Sequence, residues 1–388
     1  MNRSIDFWIV TIVALLLGFG LVMVYSASAV VADDWTGNGL KYVIRQLMAL
    51  GIGGALAVAT ALTPTQTLRR YRKPIYGAIF FSLLLTYIPG IQHSAKGAAR
   101  WIGFGGVNIQ PSEFAKLGVL LALAHYLDRW RGYLEDYRVA LQAAGIPLLM
   151  MIPVLLQPDA GTTLLIGGLS FCMLWVAGLR LRHVAVAGAA SLVIGIPLLV
   201  MEAYRVQRLI AFLDPFKHED GGGHQVIQGW VAMHTGGLTG QGLGNSLAKL
   251  HFLPEPWTDW ISAVIGEELG LIGFAALIGF YTLFVWRGFT IARSAKDAFG
   301  MYLAAALTSK IAIEAMFNLG VVTGLVPPKG LVLPFISYGA SATISNLWAV
   351  GMLLSIAAEA REAPIPAGWP HRKMQLPTST STLPSVAK

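Results

Sequence analysis

The sequence predicts an all-α polytopic membrane protein of about ten transmembrane helices, and three observations carry that prediction. The 388 residues are 55% hydrophobic and 12% charged, with mean hydropathy +0.62, too apolar for a chain folded in water. Apolar runs recur along it, each near the roughly 20 residues that cross a hydrocarbon core as helix. Lys and Arg gather in alternate connections between those runs, the asymmetry that orients a chain in a bilayer.

The first run, about Ile5 to Tyr25, has no small-residue cleavage pattern and is too long for a signal peptide, so it is a permanent span. The second covers Lys41 to Leu62 and the third Ile75 to Ile88. The fourth follows Pro111, a residue suited to a first helical turn because that amide needs no partner. The turn QPDAG, Gln157 to Gly161, separates the fifth and sixth, and a seventh covers about His183 to Tyr204. The last three begin near Asp259, Ala298 and Leu333.

Arg3, the RRYRK cluster at Arg69 to Lys73, Arg129, Arg131, Arg138, Arg180, Arg182, Arg287, Arg293 and Lys296 fall on one side, with Arg361, Arg372 and Lys373. That side is predicted to be cytoplasmic and to hold both termini. The net charge of +8 then reflects topology and attraction to anionic lipid, not a nucleic-acid partner, for which no aromatic-basic motif is visible. Cys172, the single cysteine, can form no internal disulfide and reads as packing.

Residues 1–363 are expected to form one membrane domain. Its longest connection, about 55 residues from Arg205 to Thr258, is extracytoplasmic by the same count, and a connection of that length is functional or contains helices of its own. Residues 364–388, rich in Pro, Ser and Thr, cannot bury a core and are expected to be a disordered cytoplasmic tail.

The few basic residues on the opposite side include Lys96, Arg100, Arg205, Arg208, Lys217, Lys249 and Lys329. Charges that persist where the orientation rule disfavours them are functional candidates. In QPSEFAKL, Glu113 and Lys116 are three apart and share a helix face, either as a local ion pair in a capped helix or as groups facing a cavity. Asp159 sits before Gly in a turn or cap setting. Arg205 and Arg208 share a face and, with Lys249, have the chemistry to clamp a diphosphate.

The glycines of GGLTGQGLGNS lack the spacing, the strand and the GK[ST] of a nucleotide loop; they let the backbone turn near headgroups. The histidines His218, His224, His234 and His251 have no paired zinc spacing. Asn318 and the segment PPKGLVLPFISYGAS, which holds Lys329 and Ser337, mark a broken re-entry whose backbone must be buried in protein or line a cavity. Asp259, in LPEPWTDWISAVIGEELG, is a carboxylate at a membrane boundary: a cap of the eighth helix or a catalytic base.

In this order the motifs VYSAS, RWIGF, QPSEFAKL, QPDAGT, RLIAFLDP, GEELG, NLGVVTGLVPPKG and LPFISYG resemble the SEDS family of bacterial cell-wall proteins, whose members include RodA and FtsW. The resemblance covers nearly the whole chain. It implies a peptidoglycan glycosyltransferase that polymerises lipid II on the outer face of the inner membrane, with Asp259 as the base that deprotonates the acceptor 4-hydroxyl. Arg205, Arg208, Lys249 or Lys116 would stabilise the leaving diphosphate. It also implies a divalent cation, Mg2+ or Mn2+, no organic cofactor, a class B penicillin-binding transpeptidase partner and other divisome membrane proteins.

PPKG lies nearer the FtsW branch than the RodA branch, which points to the division septum rather than elongation. The chain departs from the family pattern at Trp257, Glu314 and Ala340. Two readings from other classes stand beside the enzyme: a lipid II flippase, motivated by Lys116, Lys310, Glu314 and the break at Pro327, and a non-catalytic division scaffold, motivated by the atypical residues around Asp259.

Overall fold

A computed structural model describes residues 5–89, 92–95, 98–104, 107–157, 159–179, 203–219 and 221–362. The predicted seventh span and the C-terminal tail lie outside them, apart from the helix at 203–213. Helices dominate: α1 (Phe7–Thr36), α2 (Lys41–Ala61), α3 (Thr65–Leu85), α4 (Pro111–Arg129), α5 (Tyr137–Leu156), α6 (Ala160–Val176), α7 (Ala203–Leu213), α8 (His224–Gly236), α9 (Ile261–Arg293), α10 (Ala298–Val322) and α11 (Ala340–Glu362). Among the described residues, α1, α2, α5, α9, α10 and α11 are long and apolar enough to cross a membrane.

Local chemistry sets the helix ends. Asp6 caps α1 by accepting from the Ile9 amide at 3.2 Å, and Gly37 closes it in the left-handed region at φ 65°. Pro111 opens α4 with Glu113 in its first turn, where a carboxylate complements the helix dipole. Asp297 caps α10 through the Gly300 amide at 2.8 Å.

Burial orders the bundle. In α10 and α11, 67% and 78% of the apolar window is buried, against 28–39% in the other four, so these two are central and the rest face lipid on their outer sides. Exposed Trp8, Leu15, Leu141, Leu164, Ile272 and Trp286 mark those lipid faces.

Four boundaries differ from the sequence reading. α1 runs to Thr36, beyond Tyr25, because nothing breaks the helix before Gly37. α3 begins at Thr65 and carries the Arg69 to Lys73 cluster on the helix rather than in a loop, since Gln, Arg and Lys are good helix formers. The last helix starts at Ala340, not near Leu333: Pro334, Gly339 and Phe335 at φ 69° leave 331–339 non-helical. The span expected to start near Asp259 is two helices, broken at Gly270 (φ 66°, ψ −167°).

A three-stranded antiparallel meander, β1 (Gln92–Ala95), β2 (Ala98–Phe104) and β3 (Val107–Ile109), adds to the all-α expectation, with Ile102 opposite Ile109. Its strands are too short and too Gly-flanked for a period to show in sequence. The long connection does contain its own structure: α7, a 3-10 turn at Pro215–His218, α8 and a π-turn at Ala248–Phe252.

Candidate functional site

The site forms where one end of the bundle gathers the N-termini of α4, α6 and α9 with the segment from Thr323 to Gly339. Asp259 stands just before the N-cap of α9, which is Trp260 and makes no side-chain cap bond. Asp259 is half-buried, and its Oδ1 accepts from the Thr258 hydroxyl at 2.8 Å. Its Oδ2 faces the backbone of Gly330, where a Cβ would lie 3.6 Å away. The carboxylate therefore lies against the residue that follows Lys329.

Asn318 fixes that approach. From α10 its Nδ2 donates to the Asp259 carbonyl at 2.9 Å and the Leu331 carbonyl at 2.7 Å, while its Oδ1 accepts from Ser262 at 2.7 Å. One buried amide so joins the start of α9 to the segment that carries Lys329. Every partner of this Asn318 amide is a protein atom, which gives it a positioning part rather than a free hydrogen bond toward a ligand.

Lys329 crosses the first turn of α6. A Cβ at Gly161 would sit 1.4 Å from its Cε, so only glycine admits the side chain there. Its ammonium lies 5.8 Å from the Phe317 ring centroid. Burial pushes this ammonium down to about 8, with the charge of Asp159 working the other way. Asp159 caps α6 by accepting from the Thr162 amide at 3.1 Å, so the turn reading of that residue holds. Arg100, on β2, donates from Nε to the Gln157 carbonyl at 3.1 Å and ties the sheet to this corner.

Glu113 and Lys116 do share a face of α4, at 2.8 Å, and Lys116 also reaches Glu314 of α10 at 2.5 Å. Lys310 continues the chain of charges, donating to Glu314 at 3.0 Å and to Asn346. Lys116 is thus committed to two carboxylates inside the bundle.

Other expected residues lie elsewhere. Lys249 is buried beside α1, where its ammonium donates to Gly244 O at 2.6 Å, Glu268 Oε1 at 3.0 Å and Ser26 Oγ at 3.1 Å. Three donors meet three acceptors, and the group carries no spare hydrogen for a phosphate. The Ser337 hydroxyl accepts from the Leu333 amide at 2.8 Å and holds the re-entrant turn. Arg205 and Arg208 fall on α7; their side chains lie outside the described set. Trp257 is buried against Tyr42 at 4.7 Å and Trp35 at 6.2 Å, and its carbonyl accepts from the Tyr338 amide, so it knits α1, α2 and the re-entrant turn together. Ala340 opens α11.

Sequence reasoning missed two groups that shape the site. Gln46 of α2 donates to Ser337 O and Thr343 Oγ1 and accepts from the Gly339 amide. Glu267 accepts from the Leu247 and Ala248 amides at 3.0 and 3.2 Å and from Ser246. The available signal was the same for both: a pair of polar residues, Arg45 with Gln46 and Glu267 with Glu268, interrupting an apolar run. Among the described residues no three His, Cys, Asp or Glu side chains converge, so an Mg2+ or Mn2+ here would depend on one or two carboxylates with substrate phosphates and water.

A half-buried carboxylate at the end of an apolar bundle can accept a proton, and an ammonium on the segment it faces can offset developing negative charge. Residues 7–362 match the cell cycle protein family FtsW/RodA/SpoVE. A relative from Trichlorobacter lovleyi, named "Probable peptidoglycan glycosyltransferase FtsW", is 41% identical over 93% of this chain and 95% of its own. Stage V sporulation protein E of Bacillus subtilis is 39% identical over 93% and 99%.

Among solved structures, a peptidoglycan synthase complex described as coordinating polymerization and crosslinking aligns at TM-score 0.74 and 28% identity, over 93% of this chain and 99% of that one. The rod shape determining protein RodA of Thermus thermophilus aligns at TM-score 0.68 and 27% identity, over 92% and 97%.

Proposed function

The chain belongs to the FtsW/RodA/SpoVE family of cell cycle proteins, and from that membership together with the site we infer a multi-pass peptidoglycan glycosyltransferase that polymerises lipid II. The observation that carries the site assignment is the half-buried Asp259 carboxylate, whose Oδ2 faces Gly330, the residue after Lys329, while the Lys329 ammonium itself turns across Gly161 toward Asp159. Asp259 takes the proton from the acceptor 4-hydroxyl as that oxygen attacks the donor's anomeric carbon. The bond to the polyprenyl diphosphate breaks, and the leaving group departs with the electron pair.

Lys329 is the cation best placed to balance that diphosphate, because Lys116 and Lys249 are each occupied by protein acceptors. Arg205 and Arg208, on α7 of the same connection, are further candidates for it. No step is routed through a metal. The nearness to FtsW relatives supports a septal role, and the similarity to a synthase complex supports a crosslinking transpeptidase as partner. The motif order and the positive-side bias support an outer-face site with both termini cytoplasmic.

The test is polymerisation of fluorescent lipid II by the purified protein with its transpeptidase, wild type against Asp259→Asn. Polymer from the wild type alone is expected. Equal polymer from both would remove Asp259 from the mechanism.

A further inference from the structure

A cavity lies apart from Asp259, between α1 and the stretch from Leu243 into the π-turn. It encloses about 600 Å³, within the range that holds a small ligand. Val22 and Val30 of α1 form one bank, and Leu243, Leu247 and Leu250 form the other. Leu243 and Leu247 are 58% and 62% exposed, high for leucines on a connection meant for water, so the mouth of this groove faces lipid.

Its depth in the bilayer follows from α1. That helix has 30 residues, about 45 Å of rise against a hydrocarbon core of about 30 Å. Counted from Phe7, next to the Asp6–Arg287 ion pair at the other end, about 20 residues cross that core, so residues 22–30 straddle the boundary between hydrocarbon and headgroups.

The polar end of the groove is closed to anions. Ser26 and Lys249 line it, and both donate to Glu268 Oε1, at 2.6 and 3.0 Å. All three Lys249 hydrogens are taken within the protein. The other Glu268 oxygen is buried without a partner among the described residues, so a phosphate brought here would meet a carboxylate and no free cation. The occupant is therefore the apolar part of a lipid, with its charged head elsewhere.

Glu268 also ties the groove to the reaction. It lies on the same short helix, Ile261 to Leu269, that follows Asp259, and the break at Gly270 separates that helix from the rest of α9. We propose that this groove holds the head-proximal isoprene units of the polyprenyl chain of the lipid-linked substrate, a reading that rests on the glycosyltransferase assignment. The chain lies along α1, its diphosphate reaches the Asp259 site, and Glu268 couples occupancy of the groove to the helix that sets Asp259.

The experiment uses the full chain in nanodiscs and a polyprenyl diphosphate with a diazirine in its first isoprene units. Crosslinks are expected on peptides covering Val22 to Val30 and Leu243 to Leu250, removed by excess unlabelled polyprenyl diphosphate but not by phosphatidylglycerol. Crosslinks elsewhere, or equal competition by phosphatidylglycerol, would overturn the proposal. As a second readout, Val22→Trp and, separately, Leu247→Trp narrow the groove from opposite banks. Each is expected to raise KM roughly tenfold, as a variant-to-wild-type ratio, for full-length lipid II and for a farnesyl-length analogue alike, because the first three isoprene units lie in the same groove. An unchanged KM in both variants also refutes it. If the wild type polymerises nothing, the enzyme assignment fails, while the crosslink map still reports whether the groove takes an isoprenoid.

Discussion

Asp259 and Lys329 sit on facing segments, and different forces hold each in place. Asp259 is fixed through its main chain by Asn318 and through its carboxylate by Thr258, so Asp259→Asn keeps size and contacts while losing basicity. Polymer yield is expected to fall by roughly a hundredfold or more, the usual cost of removing a positioned base, with partner binding intact in a pull-down. Lys329 titrates near neutrality because burial lowers it to about 8. Its positive charge is present at pH 7 and leaves as pH rises through that value, so kcat/KM should decline on the alkaline side. Lys329→Arg, which stays charged, should move that decline to higher pH, whereas Lys329→Met should be weak throughout. A pH profile of initial rates from about 6.5 to 9.5 separates the three, and a wild-type profile flat across the window would remove Lys329 from charge balance. Asp259 was legible in sequence as a carboxylate at a membrane boundary, with capping and catalysis both open, and the resemblance to the SEDS family is what favoured the base. That Lys116 and Lys249 are taken up by protein acceptors was not legible, because it depends on which carboxylates reach each ammonium, and those lie as many as 198 positions away.

At the scale of elements, the decisive feature is the break in α9. Gly270 holds φ 66°, and a Cβ there would meet Gly240 N at 2.4 Å and Leu238 O at 2.5 Å. The connection after α8 fills the gap: the Leu271 and Ile272 amides donate to Gly237 and Leu238 carbonyls, and the Gln241 and Gly242 amides donate to Glu267 and Glu268 carbonyls. Backbone groups freed by the break are thereby satisfied inside an apolar bundle. Gly270→Ala is expected to cost roughly 1–3 kcal/mol from backbone conformation alone, and more from the clash. A fall of several degrees in Tm in detergent, with faster amide exchange over 237–248, checks it; an unchanged Tm would show that the break tolerates a side chain. Helix existence was readable from the apolar runs, and so was the opening of α4 at Pro111. The break was not, since GEELGLIG reads as one continuous apolar helix and its interruption is imposed by a partner segment about 30 residues earlier.

Across the whole molecule, the central helices are held by charges the sequence alone makes look like a transport path. Lys116, Glu113, Glu314 and Lys310 are buried, two of each sign, and link α4 to α10, with Asn346 extending the chain to α11. Lys116, Lys310 and Glu314 motivated the flippase reading. Lys116 donates to both carboxylates and Lys310 to Glu314 and Asn346, so an ion-pair network accounts for these charges without a translocated substrate. The atypical Glu314 acquires a reason as well: it receives both ammonium groups. Removing that carboxylate alone, as in Glu314→Gln, leaves one uncompensated positive charge in the bundle and is expected to cost about 3–5 kcal/mol. Lys310→Met alone strands Glu314 between fewer donors and should also destabilise. The double variant Lys310→Met, Glu314→Gln leaves Glu113 with Lys116 as a balanced pair, and it should recover most of the loss because the second change removes the charge that the first uncovers. Folded yield on size exclusion and Tm in detergent read this directly. Recovery identifies charge balance as the network's task, whereas a double variant as unstable as the sum of its parts would mean that each group is needed for itself, which would return these intramembrane charges to the list of groups that act on a substrate.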